Sequence, residues 1–178
     1  FGGSLWARKI NEAVADLIAW STKDDRYQHI HAYGQYGSWF PELLIKKGVD
    51  LKKHANLDIR EYIKDMPDCL AAADLVICRA GAITLSELQA QGKASILIPS
   101  PNVAENHQYH NAMALVRRKA AAILEEKDLS GDALIQMVQK MTADPKTLEI
   151  YQTNARKMAI LDANERIYSI IQGFFPEK

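Results

Sequence analysis

Two short, unbroken apolar runs constrain this chain more than any other feature: Leu75-Val76-Ile77-Cys78 and Ser95-Ile96-Leu97-Ile98. A strand with one wet face alternates apolar and polar residues. A run without alternation must be covered on both faces, as in a parallel sheet flanked by helices. Gly81 breaks the first run, and a helical pattern follows from Thr84 to Gln91, with Gly92 past its end. Pro99 and Pro101 stop the second run, and a helix is expected from Glu105 to Lys119. Strand, helix, strand, helix is the pattern of a parallel sheet, so the fold class is α/β with a doubly wound sheet.

The rest of the chain fits this frame. Ile10, Val14, Leu17 and Ile18 have helical spacing. Tyr27 to Tyr33 is β-prone. Ser38 can cap a helix with Pro41 in its first turn and Gly48 at its end. A strand near Asn56 to Ile59, a helical turn through Tyr62 and Ile63, and a helix from Pro67 to Ala73 come next. Ala121 to Leu124 reads as a last strand. Leu134, Ile135, Val138 and Met141 mark a helix, and Pro145 opens a helical tail running to residue 178. That gives five strands. The start, Phe1-Gly2-Gly3-Ser4, reads as the middle of a βα unit, so a further strand is expected ahead of it, and the chain reads as one domain of a longer protein.

Charge and length exclude some classes. Lys+Arg and Asp+Glu both number 22, so no global field draws the chain to nucleic acid. No stretch reaches the roughly 20 apolar residues of a membrane span. Cys69 and Cys78 form no CxxC pair, and Cys78 lies within an apolar run. A buried Cys78 and a reducing compartment are expected.

In a sheet of this kind ligands bind beyond the carboxyl ends of the strands. Three loops there carry unusual residues. Gly2-Gly3-Ser4 is a strand-to-helix turn in which the backbone can approach a phosphate. Arg79-Ala80-Gly81-Ala82-Ile83-Thr84-Leu85-Ser86-Glu87 repeats that geometry. The amides of Ala82, Ile83 and Thr84 suit an anion. Glu87, one turn past Thr84, can accept from two neighbouring hydroxyls, as in a ribose. The same spacing also fits an ordinary helix start. The third loop runs from Pro99 to Asn111. There His107, Gln108 and Asn111 share one end of a helix and offer the mixed donors and acceptors that sugar hydroxyls need.

Together, Phe1 to Ser4, Asp74 to Glu87 and Ile98 to Ala112 resemble the MurG family in order and spacing, over Phe1 to about Phe175. These are the UDP-N-acetylglucosamine:undecaprenyl-diphospho-muramoylpeptide N-acetylglucosaminyltransferases. The resemblance implies a GT-B architecture and makes this chain its Rossmann-like C-terminal, donor-binding domain. It implies that Glu87 holds the ribose, and that Ser4 and Ala82-Ile83-Thr84 meet the diphosphate. His107, Gln108 and Asn111 would lie near the N-acetylglucosamine (GlcNAc) and diphosphate. Ile63, in the turn Glu61 to Met66, would read uracil through its backbone. Arg79 and Gly81 belong to the motif without an assigned contact. One departure stands out: Trp6 occupies a place where the family usually has glycine. Either the diphosphate site is narrowed or the helix tilts to move the ring aside.

The implied reaction is transfer of GlcNAc from UDP-GlcNAc to lipid I with inversion, giving lipid II for peptidoglycan. The family's acceptor site and base belong to the N-terminal domain, so no catalytic residue is assigned, and this chain alone is expected to be inactive. No Asp-x-Asp occurs, so no metal and no cofactor are expected. His29 and His31 alternate in a strand but lack a third ligand, which favours a structural role. The apolar tail Ile167 to Phe175 is expected to pack on the other domain. The resemblance also implies residence at the cytoplasmic face of the membrane, with no nucleic-acid partner. Two alternatives stay open: a separate UDP-sugar-binding module completed by a partner chain, and a related enzyme such as a UDP-GlcNAc 2-epimerase.

Overall fold

The computed structural model describes Phe1 and residues 8–174. Gly2-Gly3-Ser4, Trp6 and the last four residues lie outside the described residues, and with them the expectations placed on Ser4 and Trp6. Helix α1 (Arg8–Ser21) leads to strand β1 (His29–Ala32), α2 (Phe40–Lys46), β2 (Leu57–Arg60) and α3 (Met66–Ala72). Then come β3 (Leu75–Cys78), α4 (Ala82–Gln91), β4 (Ala94–Leu97), a 3-10 turn (Ala104–Asn106) and α5 (His107–Val116). Strand β5 (Ala122–Ile123), α6 (Gly131–Thr142), α7 (Pro145–Lys157) and α8 (Ala163–Phe174) complete the order.

Every strand pairing is parallel, as the unbroken apolar runs require. The ladder comes in two parts, β1-β2 and β3-β4-β5. The terminal amine of Phe1 donates to the Ile77 carbonyl at 2.7 Å, so Phe1 lies along β3. Side chains alternate between two cores, one on each face of the sheet. Ala94, Ile96 and Ile98 enter a cluster with α1, α2 and α6; Val76, Cys78 and Leu97 enter one with α3, α4 and α5.

Helix α1 buries Ile10, Ala13, Val14, Leu17 and Ile18 on one stripe, and α6 meets it with Leu134, Val138 and Met141. The helices meet closely at Gly131. A Cβ there would lie 2.6 Å from Asp16 Cγ and still nearer Asp16 Cβ, an atom that cannot swing away without moving α1. Gly131→Ala is expected to lower unfolding stability by about 1–3 kcal/mol, the usual cost of overpacking. Gly173→Ala in α8 meets open space and is the control for the same measurement by urea denaturation.

The two strand histidines serve α1 rather than a metal. His29 Nε2 lies 2.7 Å from Ser21 Oγ, and that hydroxyl is also 3.0 Å from the Ile18 carbonyl. His31, buried against Phe40, lies 3.2 Å from Asn11 Oδ1, and Asn11 Nδ2 donates to the Tyr33 carbonyl. Burial pushes His29 down from 6.5 to about 4 and holds His31 well below its ordinary value. Both are neutral when folded, so the unfolded chain takes up protons first as pH falls. Their stability contribution is whole above pH 6.5 and falls as pH drops below it, the His29 part being lost by about pH 4. For His29 alone this amounts to about 3 kcal/mol. Urea denaturation at pH 7.5 and at pH 4 should show at least that difference, and His29→Asn should shrink it.

Two local expectations are corrected. Ser38 does not cap α2; the helix begins at Phe40 after Trp39, with Pro41 in its first turn. Tyr62 and Ile63 form no helical turn; they lie in an irregular segment across which Arg60 pairs with both Asp58 and Asp65. The tail is helical in two pieces, α7 and α8, with Met158 to Asp162 between them. Every described residue of α8 is exposed, Ile167, Ile170, Ile171 and Phe174 among them.

Candidate donor-binding site

Within each part of the sheet the strands are parallel, so the loops that follow them gather at its carboxyl edge, and the described candidate residues lie in such loops. Gly81 is the N-cap of α4 with an extended backbone (φ −70°, ψ 142°), and no side chain caps the helix. The first intrahelical bond is Leu85 N–H to the Gly81 carbonyl. The amides of Ala82, Ile83 and Thr84 are therefore the unsatisfied donors of a helix start, aimed beyond the strand ends. Thr84 is half-buried and Glu87 exposed on the same helix. Ile83 is 78% exposed. Burial pushes the Cys78 thiol up to about 12, and the Glu87 charge adds to the rise, which puts Glu87 within electrostatic reach of the end of β3. Cys78 is thus an inert core thiol, as expected from its apolar run.

The loop after β4 is built differently from the sequence expectation. The helix starts at His107 rather than Glu105. Glu105 and Asn106 both take left-handed backbone (φ 52° and 51°), which is costly for non-glycine residues. This kink delivers the first turn of α5 to the strand edge. Gln108 Oε1 accepts from Ser100 N–H at 2.9 Å, leaving its NH2 donors to face outward. Asn111 Nδ2 donates to the Ala80 carbonyl at 3.3 Å, leaving Oδ1 as an acceptor. His107 Nδ1, 3.0 Å from the Ala104 carbonyl, must be the donor there, so a neutral ring presents Nε2 as an acceptor. Each of the three is tied at one polar end and has the other to offer. Asn111 also joins α5 to the loop entering α4, so the second and third loops form one surface.

Ile63 belongs to the other part of the sheet, just past β2. Its side chain is 4% exposed and faces inward, so what it can offer a ligand is backbone. The turn is fixed by Gly34 N–H donating to the Glu61 carbonyl and by Arg60 bonding Asp65 at 2.5 Å. Arg79, left without a contact by the sequence, has clear ones here. Its Nη1 donates to the carbonyls of Ile98 and Pro99, and its Nη2 pairs with Glu126. Sequence reasoning missed Arg60 and Glu126. Each sits in an ordinary charged stretch, and only the fold brings its partners to it. Among the described residues no three His, Cys, Asp or Glu side chains cluster as metal ligands. No helix there is long and apolar enough to cross a membrane.

Residues 1–171 match the glycosyltransferase family 28 C-terminal domain. A relative from Acetivibrio thermocellus is 44% identical over 180 residues, which cover all of this chain and 47% of the relative. One from Desulforamulus reducens is 40% identical over all of this chain and 48% of its own length. Both are UDP-N-acetylglucosamine--N-acetylmuramyl-(pentapeptide) pyrophosphoryl-undecaprenol N-acetylglucosamine transferases. The crystal structure of Acinetobacter baumannii MurG superposes with a TM-score of 0.82 at 28% identity, over 97% of this chain and 48% of that one. A glycosyltransferase of kitacinnamycin, at 18% identity and a TM-score of 0.69, shares the fold. The chain spans about half the length of the curated relatives it matches.

Proposed function

Because this chain belongs to the glycosyltransferase family 28 C-terminal domains, we propose that it is the UDP-GlcNAc-binding half of an inverting N-acetylglucosaminyltransferase. The whole enzyme would convert lipid I to lipid II at the cytoplasmic face of the bacterial membrane. The observation that carries the reading is the joined surface of α4 and α5. An uncapped helix start with Thr84 and Glu87 one turn apart is tied through Asn111 to the loop holding His107 and Gln108. The α4 amides take the diphosphate, and Ser4 would join them. Glu87 accepts from the ribose hydroxyls. The outward ends of His107, Gln108 and Asn111 meet GlcNAc, and the Ile63 backbone meets uracil. Arg79 stands behind this surface with Gly81.

These groups stabilise the departing UDP; they do not deprotonate an acceptor. The base and the lipid site belong to the half of the relatives that this chain does not span. The test is transfer of labelled GlcNAc to lipid I by this chain joined to the first half of the A. thermocellus relative. Turnover that Glu87→Ala lowers at limiting UDP-GlcNAc supports the reading, and turnover only with another UDP-sugar or another lipid refutes it.

The exposed apolar residues of α8 are the contact for that other half. On its own the chain should then self-associate, with sedimentation coefficients that rise with concentration. A strictly monomeric profile at high concentration would count against this role.

A further inference from the structure

We propose that Glu126 is a positioning residue for the sugar end of the donor site, acting through Arg79 on the loop after β4. The inference rests on the donor-site reading above and adds a residue that touches no ligand.

Arg79 leaves the end of β3. Its Nη1 bonds the Ile98 and Pro99 carbonyls, both at 3.2 Å, at the end of β4. Its Nη2 pairs with Glu126, three residues past β5. One guanidinium thus ties together the carboxyl ends of three adjacent strands. The two side chains are only 11% and 15% exposed, so water competes weakly for either. The planar fork needs partners on more than one side to hold its orientation, and Glu126 supplies the charged one. The next link is Ser100, whose N–H donates to Gln108 Oε1. A continuous path therefore runs from the Glu126 carboxylate to the guanidinium, the Pro99 carbonyl, the Ser100 amide and the first turn of α5. The base end of the site is held by a separate network, Arg60 with Asp58 and Asp65. Loss of Glu126 should therefore loosen the sugar end and leave the nucleotide end intact.

The experiment is calorimetric titration of the chain with UDP and with UDP-GlcNAc, for wild type, Glu126→Gln and the double variant Arg79→Met/Glu126→Leu. Wild type should bind both ligands. Glu126→Gln should bind UDP within about twofold of wild type and UDP-GlcNAc about tenfold more weakly, the scale of coupling between contacting groups. A merely structural role would weaken both ligands alike; that result, or unchanged UDP-GlcNAc binding, overturns the proposal. Should Glu126→Gln fail to fold, the double variant takes its place, because its apolar pair fills the same space without a buried charge. Selective loss of UDP-GlcNAc binding in that variant supports the proposal, and equal loss or no loss overturns it. A wild-type chain that binds neither ligand removes the donor-site reading itself, and this inference with it.

Discussion

Replacing Glu87 with alanine is expected to weaken binding of UDP-GlcNAc and of UDP by about 1–3 kcal/mol, the cost of leaving hydrogen-bonding groups unpaired at a ligand. In affinity this is roughly five- to 150-fold. The side chain is exposed, and no hydrogen bond or ion pair to it is found among the described residues, so the folded chain itself should lose little. Its value lies in what it accepts from a ligand. Two vicinal ribose hydroxyls match the two oxygens of one carboxylate. UDP and UDP-GlcNAc share that ribose, so both should suffer equally, in contrast to the selective loss expected at Glu126. Ser86→Ala, one residue away on the same helix, removes only a hydroxyl bonded to the Ala82 carbonyl and should bind like wild type. Calorimetry on the three proteins checks this, with melting curves to show that Glu87→Ala remains folded.

Arg79→Ala should be the most destabilising of these substitutions. It strips a largely buried carboxylate of its partner and leaves the carbonyls of Ile98 and Pro99 without their donor. Breaking one side of a buried ion pair costs about 3–5 kcal/mol, because the remaining charge stays in a poor solvent. Arg79→Met/Glu126→Leu removes both charges and should recover much of that loss. Urea denaturation of Arg79→Met beside the double variant separates an uncompensated charge from lost packing, because both place methionine at position 79. If packing dominated, the double variant would be no more stable than the single one.

Much of the fold is legible in the sequence because its signals are local. Leu75 to Cys78 and Ser95 to Ile98 declare strands covered on both faces, and Gly81, Gly92 and Pro99 mark where they or the helices stop. The loops around Glu87 and Gln108 are legible as strand-end loops that open helices, while the roles given to their residues come from the family resemblance and not from spacing. What stays hidden depends on partners distant in sequence or on unusual backbone. Local pattern predicts a helical turn at Ile63, whereas the segment is irregular and braced by the ion pairs of Arg60 with Asp58 and Asp65. Pattern also starts α5 two residues early, because nothing in Glu105-Asn106 announces two successive left-handed residues. Arg79 is visible as a motif residue, but its partner Glu126 lies 47 positions later, in a Glu-Glu-Lys-Asp run that reads as a solvated surface.

This chain is expected to carry a preformed UDP-GlcNAc site. The most direct test is calorimetric titration of the wild-type chain with UDP-GlcNAc, with GDP-mannose as the comparison. One saturable event for UDP-GlcNAc, and none for GDP-mannose at the same concentrations, is the expected result. No saturable heat with UDP-GlcNAc, or equal binding of the two nucleotide sugars, would contradict it.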